Sequence, residues 1–160
     1  MGHRCWRSSG RLGAMKARRL MTLDANVFVA FLKADEAYSQ ECVEILRKVP
    51  EAFILAEPSI VYQEVCGTLA RRVGVEVARI AQKLLDKLIH PALLVECSRA
   101  FCLSAYDLCR RFNVYSIDAL YLKVALDEGG ILVSLDEEFV DRVRERGPPI
   151  EVYHASELPY

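Results

Sequence analysis

"MTLDANVFVAF", residues 21–31, decides how this chain is read. A short apolar run stops at a carboxylate, Asp24, and a helical pattern follows from about Ala25. "LMTL" (20–23) fits a buried strand, so Asp24 falls where strand becomes helix. The same grammar repeats outward. "FILA" (53–56), "LLVE" (93–96), "VYSI" (114–117) and "ILVSL" (131–135) read as further strands, and "IEVYH" (150–154) as a short last one. The spacing predicts helices over 36–49, 58–74, 76–89, 101–112, 118–128 and 136–146. Pro58 suits a first helical turn, where its missing N–H costs nothing. "HP" (90–91) should end the helix before it, because the residue preceding Pro avoids the helical region. Alternating strand and helix implies an α/β fold, a parallel sheet with helices on both faces. In such sheets, sites form beyond the carboxyl ends of the strands.

The totals set bounds on this reading. The chain has 160 residues, 52% hydrophobic and 27% charged, which fits one globular domain with a real core. Residues 1–20 hold six Lys or Arg and no acid, and read as a basic, disordered arm or upstream extension. Residues 21–155 form the domain, and 156–160 a short tail. From Met21 onward 15 basic residues face 22 acidic ones, a net charge of −7. A body that acidic is no generic polyanion-binding surface. Contact with nucleic acid must draw on local Arg patches, the arm or bound cations. No apolar run approaches the ~20 residues of a membrane span, and the basic start lacks the apolar core of a signal peptide. The six cysteines (5, 42, 66, 97, 102, 109) form no C-x-x-C pair and no His/Cys zinc spacing. They read as small buried hydrophobes of a cytoplasmic protein.

Three of the eight Asp stand directly after predicted strands: Asp24, Asp118 and Asp136. Each alone has an ordinary use, since Asp caps helix N-termini and complements the helix dipole. Together they would share one edge of a parallel sheet and repel. Two charges 4 Å apart cost about 4 kcal/mol at an effective dielectric of 20. A hard divalent cation relieves that cost. Mg²⁺ and Mn²⁺ favour oxygen ligands, with water and substrate phosphate completing the shell. Glu64 is a fourth candidate, at the border of its helix's apolar face. Such a border Glu is also commonly just solvated. Asn26, two residues past Asp24, can bond a ligand, a water or the helix start. Ser134, two before Asp136, can face the same side of the strand end or close a turn.

These pieces resemble the PIN-domain ribonuclease family. The matching stretches are "LDANVFV" (23–29), "PSIVYQEVCGTLARR" (58–72), "SIDALYLKVA" (116–125) and "LVSLDEEF" (132–139). Their order runs from Met21 to about Tyr153. The ordered quartet Asp24, Glu64, Asp118 and Asp136 carries the resemblance, with Asn26 and Phe139. Ser134 stands where the family commonly has Thr, which keeps the hydroxyl. The resemblance implies a three-layer α/β/α sandwich with a mostly parallel central sheet. It also implies Mg²⁺- or Mn²⁺-dependent cleavage of RNA. For short members it implies a VapC-type toxin role, an antitoxin partner and a homodimer. The three Asp would then hold metal, and Glu64 would complete the shell or position the attacking water, leaving a 5′-phosphate and a 3′-hydroxyl. Arg71, Arg72, Arg110 and Arg111 are the candidate RNA contacts.

Other chemistries fit less well. A haloacid-dehalogenase-like phosphatase wants a second Asp two residues after the first, where this chain has Asn26. A receiver-type phosphoacceptor domain wants paired early acids and a late Lys, and leaves Glu64 without a task. Gly-rich phosphate loops are absent. His3, His90 and His154 lie far in sequence from the acids, so no Ser/His/Asp case arises. The alternative of a different class is a PIN-like RNA-binding or assembly module with weak or no nuclease activity.

Overall fold

The computed structural model describes residues 17–160. The expected disordered arm lies, up to residue 16, outside them. Among the described residues there are five strands and seven α-helices. They run β1 (Arg19–Leu23), α1 (Ala25–Leu32), α2 (Ser39–Arg47), β2 (Phe53–Pro58), α3 (Ile60–Arg72), α4 (Val75–Leu88) and β3 (Ile89–Val95). Then come α5 (Arg99–Phe112), α6 (Ser116–Glu128), β4 (Ile131–Ser134), α7 (Glu137–Glu145) and β5 (Val152–His154). The strands pair in the order β3-β2-β1-β4-β5, and every pair is parallel.

The reason is in the strand sequences. Met21, Leu23, Leu55, Ile131, Leu132 and Val133 are fully or almost fully buried. Strands apolar on both faces are what a parallel sheet needs, because helices cover both sides. The order reverses at β1: the chain first moves outward through β2 to β3, then returns to β4 on the other edge of β1. Right-handed crossovers therefore carry α1 to α4 to one face and α5 to α7 to the other. That is the three-layer sandwich the resemblance implies. The reversal also opens a crevice between the carboxyl ends of β1 and β4.

The structure corrects four local expectations. "VYSI" (114–117) is not a strand. Asn113 closes α5 in a left-handed conformation (φ 54°), Tyr115 precedes the first turn of α6, and β1 is already paired on both edges. Asp118 therefore lies in the first turn of α6, not after a strand. Pro58 ends β2 and does not open a helix; it pairs with Val95 of β3, and α3 begins at Ile60. The helix does stop ahead of "HP", at Leu88, but the strand expected over 93–96 starts at Ile89, so His90 and Pro91 fall inside β3, where the register jumps from Leu55↔Ile89 to Glu57↔Leu94. An edge strand with an irregularity accepts a Pro because no ladder bond is lost. Finally, β1 starts at Arg19, inside the expected arm, and the C-terminal tail folds back, with Tyr160 against Phe53 and Arg19.

Cys42 is buried, whereas Cys66, Cys97 and Cys109 are half-buried and Cys102 is exposed; all five described cysteines are free. The expectation of buried cysteines thus holds fully only for Cys42. Among the described residues no helix is long and apolar enough to cross a membrane.

Candidate active site

The carboxyl edge of β1 and β4 is tied by one hydrogen-bond network. The Asp24 N–H donates to the Val133 carbonyl at 2.9 Å, which carries the parallel ladder one residue past β1. Ser134 at the end of β4 donates its hydroxyl to Asp24 Oδ2 at 2.6 Å. Asn26 Nδ2 reaches the same Oδ2 and the Ser134 Oγ, both at 3.1 Å. Asn26 Oδ1 in turn accepts the Leu135 N–H at 3.1 Å. The Ser134 Oγ accepts the Asp136 N–H at 3.0 Å. Asn26 and Ser134 thus fix the orientation of Asp24 and the course of the chain into Asp136.

Asp24 holds the N-cap position of α1, yet its side chain makes no capping bond. The ordinary capping use of such an Asp is therefore not what Asp24 does there. Asp136 is the acid that does cap: its Oδ1 accepts the Phe139 N–H at 3.1 Å at the start of α7. Asp118 comes from the first turn of α6, where negative charge suits the helix dipole. Glu64 projects from the border of α3, beside the buried Val61 and Val65, and accepts the Tyr121 hydroxyl at 2.7 Å.

All four acids, with Asn26, line one open cleft of ≈ 520 Å³. Glu64 does join the other three. The cleft's further wall contains Tyr38, Glu36, Thr68 and Arg72. Charges in the cleft act on one another. Burial, then Asp118 and Glu64, push the Asp24 carboxyl up to about 7, against a hydrogen bond from Ser134 that lowers it. Burial, then Asp136 and Glu64, push Asp118 up to about 6, while Arg142 pulls it down. Perturbed acids converging in a cleft mark a candidate functional site.

Of the four expected RNA contacts, only Arg72 lines the cleft, and it is bonded to Glu36 at 2.5 Å. Arg71 is exposed at the end of α3. Arg110 pairs with Asp107, and Arg111 lies over the Phe112 ring; neither lines the cleft.

Three relevant side chains escaped the sequence reading. Tyr121 lies one helical turn after Asp118 and faces the same way, so i, i+3 spacing could have found it. Arg142 borders Asp118 and Asp136 from α7, stacked on Tyr115 at 5.2 Å. Its only sequence signal was an i, i+4 pairing with Glu138, an ordinary surface contact. Glu57 is fully buried at the end of β2. Its Oε1 accepts the Leu23 N–H at 2.7 Å, and its Oε2 has no partner. Burial, and then the nearby Asp24, hold Glu57 well above the usual carboxylate range, against the Leu23 N–H bond that lowers it.

The donor set is hard oxygen, with no thiolate or imidazole in the cleft, which suits Mg²⁺ or Mn²⁺ over zinc. Among the described residues no three His, Cys, Asp or Glu side chains are arranged to hold one ion by themselves. That spread fits an ion gripped by one or two carboxylates and otherwise by water, the usual manner of Mg²⁺.

A family model described as the PIN domain matches residues 21–145. No match to the chain is found among curated proteins. Several solved structures share its fold. VapBC2 from Rickettsia felis, bound to a promoter DNA fragment, is 19% identical with a TM-score of 0.58, covering 84% of this chain and 98% of that one. VapC20 from Mycobacterium tuberculosis, described as a toxin that cleaves the sarcin–ricin loop, is 17% identical with a TM-score of 0.63, covering 75% and 92%. FitAcB from Neisseria gonorrhoeae is 14% identical with a TM-score of 0.58, covering 87% and 99%. At these identities the likeness is one of fold.

Proposed function

The chain belongs to the PIN domain family, and we propose that it is a divalent-metal-dependent ribonuclease that hydrolyses RNA phosphodiester bonds. The observation that carries this reading is the convergence of Asp24, Glu64, Asp118 and Asp136 on one cleft at the β1/β4 crevice.

Asp24, Asp118 and Asp136, with Glu64, would hold Mg²⁺ or Mn²⁺, one or two of them directly and the others through water. When bound, the cation supplies positive charge that offsets the carboxylates and stabilises charge building on the phosphate. The protein's own work is positioning. Ser134 and Asn26 fix Asp24, the α7 cap fixes Asp136, and the Tyr121 hydroxyl steadies Glu64 for its task of orienting the attacking water. Hydrolysis by water leaves a 5′-phosphate and a 3′-hydroxyl.

The similarity in fold to VapC20, a toxin that cleaves RNA's sarcin–ricin loop, supports RNA as substrate. The likeness to VapBC2 and FitAcB supports a toxin role with an antitoxin partner. The homodimer and the cytoplasmic location belong to the same reading and rest on the family resemblance alone. Growth arrest on expression, relieved by a co-expressed upstream gene product, is the outcome that reading expects.

The nuclease is tested with purified protein on end-labelled single-stranded and stem-loop RNAs in Mg²⁺, Mn²⁺ or EDTA. Cleavage should need a divalent ion and fall about 10²-fold or more in D24N and D118N, the scale of losing a key charge-organising group. Unchanged cleavage in those variants refutes the site. Binding of RNA with no cleavage in any metal, and no divalent-induced rise in melting temperature, points instead to a binding or assembly module.

A further inference from the structure

The cleft has a second wall that the hydrolytic reading does not use. Tyr38 stands there, between α1 and α2, with 41% of its surface exposed. Its backbone is left-handed, φ 61° and ψ 20°. That conformation is costly for a bulky side chain with a Cβ, where Gly or Asn would be at ease. Strain of this kind persists where the surroundings impose it, and it gathers at ligand sites. The ring itself has a fixed partner. The Tyr38 ring meets the buried His154 ring edge-to-face, with centroids 4.8 Å apart and planes at 79°. His154 is itself fixed by Ser156 and the Leu135 carbonyl, one residue before Asp136. The aromatic ring is thus tied to the same loop that presents a catalytic acid.

Electrostatics make the ring's presence meaningful. Among the described residues lining the cleft, Arg72 is the one cation, and it is paired with Glu36, while Arg142 beside Asp118 and Asp136 is paired with Glu138. The body of the chain is acidic. Phosphate contacts, which supply most affinity in ordinary nucleic-acid binding, are therefore scarce. An unstacked base offers another handle, because stacking on an aromatic side chain needs no positive charge.

We infer that Tyr38 is a nucleobase-stacking platform, which holds an unpaired RNA base beside the scissile phosphate. The inference rests on the ribonuclease reading of the same cleft and names its substrate as single-stranded or looped RNA, with one base splayed out. Tyr38 takes no part in the chemistry.

The test uses the full chain carrying D118N, so that bound RNA stays intact. Single-stranded RNA oligonucleotides carry the fluorescent base 2-aminopurine at each position in turn. Binding should quench fluorescence at one position. Adding Y38L should remove that quench and weaken binding roughly 5- to 150-fold, the range for loss of one stacked base. Adding Y38F should keep both, since the ring and not the hydroxyl acts. Melting curves of each variant show that the fold is intact. If Y38L binds and quenches like its parent, the inference is overturned. If Y38F loses as much as Y38L, the hydroxyl carries the contact and stacking is overturned. A protein that cleaves RNA indifferently to Tyr38 refutes the inference and leaves the nuclease standing. A wild type that neither binds nor cleaves RNA removes both.

Discussion

In metal-free protein, replacing Asp24 by Asn should stabilise the fold at alkaline pH. Burial, then the charges of Asp118 and Glu64, raise the folded-state pKa of Asp24 from 3.8 to about 7. Between roughly pH 4 and pH 7 the folded chain then holds a proton that the unfolded chain has released. Stability falls as pH rises through that window, and the whole penalty is present above it. A rise of roughly three in pKa corresponds to about 4 kcal/mol. Asn escapes that penalty, and the rise to about 7 is already net of the Ser134 bond that opposes it. D24N should therefore be about 4 kcal/mol more stable than wild type at pH 8, with the gain shrinking to about 1 kcal/mol at pH 4.5. Urea denaturation in EDTA across that range measures it. Equal stability at pH 8, or a difference that does not vary with pH, refutes the electrostatic account of the site. Divalent ions supply the converse check. Mg²⁺ should raise the wild-type melting temperature more at pH 8 than at pH 6, because protons compete for the same oxygens. D24N should show little of that rise.

Two further substitutions probe the neighbours of Asp24. Ser134→Ala removes the bond that lowers the Asp24 pKa, so the pH midpoint of divalent-induced stabilisation, read by thermal melts, should move upward; Ser134→Thr should leave it in place. Glu57→Gln should change stability by less than about 1 kcal/mol at pH 7, because burial favours the neutral form of the native side chain and its Oε1 contact survives. Glu57→Ala should cost about 2–4 kcal/mol in urea, since it strands the Leu23 N–H and opens a cavity. Equal losses in the two Glu57 variants would mean that the side chain is charged.

Much of the fold was legible because buried parallel strands and amphipathic helices carry different periods. "LMTL", "FILA" and "ILVSL" are apolar runs too short for helices, and each lies where the structure has β1, β2 or β4. "VYSI" has the same local composition and is no strand. What separates it is tertiary: the sheet has no free edge beside β1, and α5 and α6 leave only residues 113–115 between them. Local propensity cannot report a ladder partner that is already taken. Pro58 failed for a related reason. Its fixed φ suits a first helical turn and also a strand end, and pairing with Val95 decided between them.

The cleft shows the same division. The acids were found by their order along the chain, and the reading of Asp118 survived a wrong strand because a helix start delivers a carboxylate to the same edge. Tyr121 was within reach through its spacing from Asp118, but Glu57 and Tyr38 were not, because nothing in their neighbours along the chain distinguishes them from core or surface residues. What marks these two, and Asp24 with them, is conflict with local rules. Asp24 occupies a cap position and does not cap. Glu57 is a fully buried acid with an orphan oxygen. Tyr38 holds a backbone that suits Gly or Asn. Other ends follow these rules, with Ser98 and Asp136 capping α5 and α7 and Gly129 supplying the left-handed end of α6, although Ser59 at the start of α3 makes no capping bond. Sequences that fold well satisfy local and global demands together and depart from them where function requires it. These departures gather around one cleft, with Asp24 and Tyr38 lining it and Glu57 bonded to the residue beside Asp24. That clustering argues for a working site on physical grounds alone, without appeal to the family.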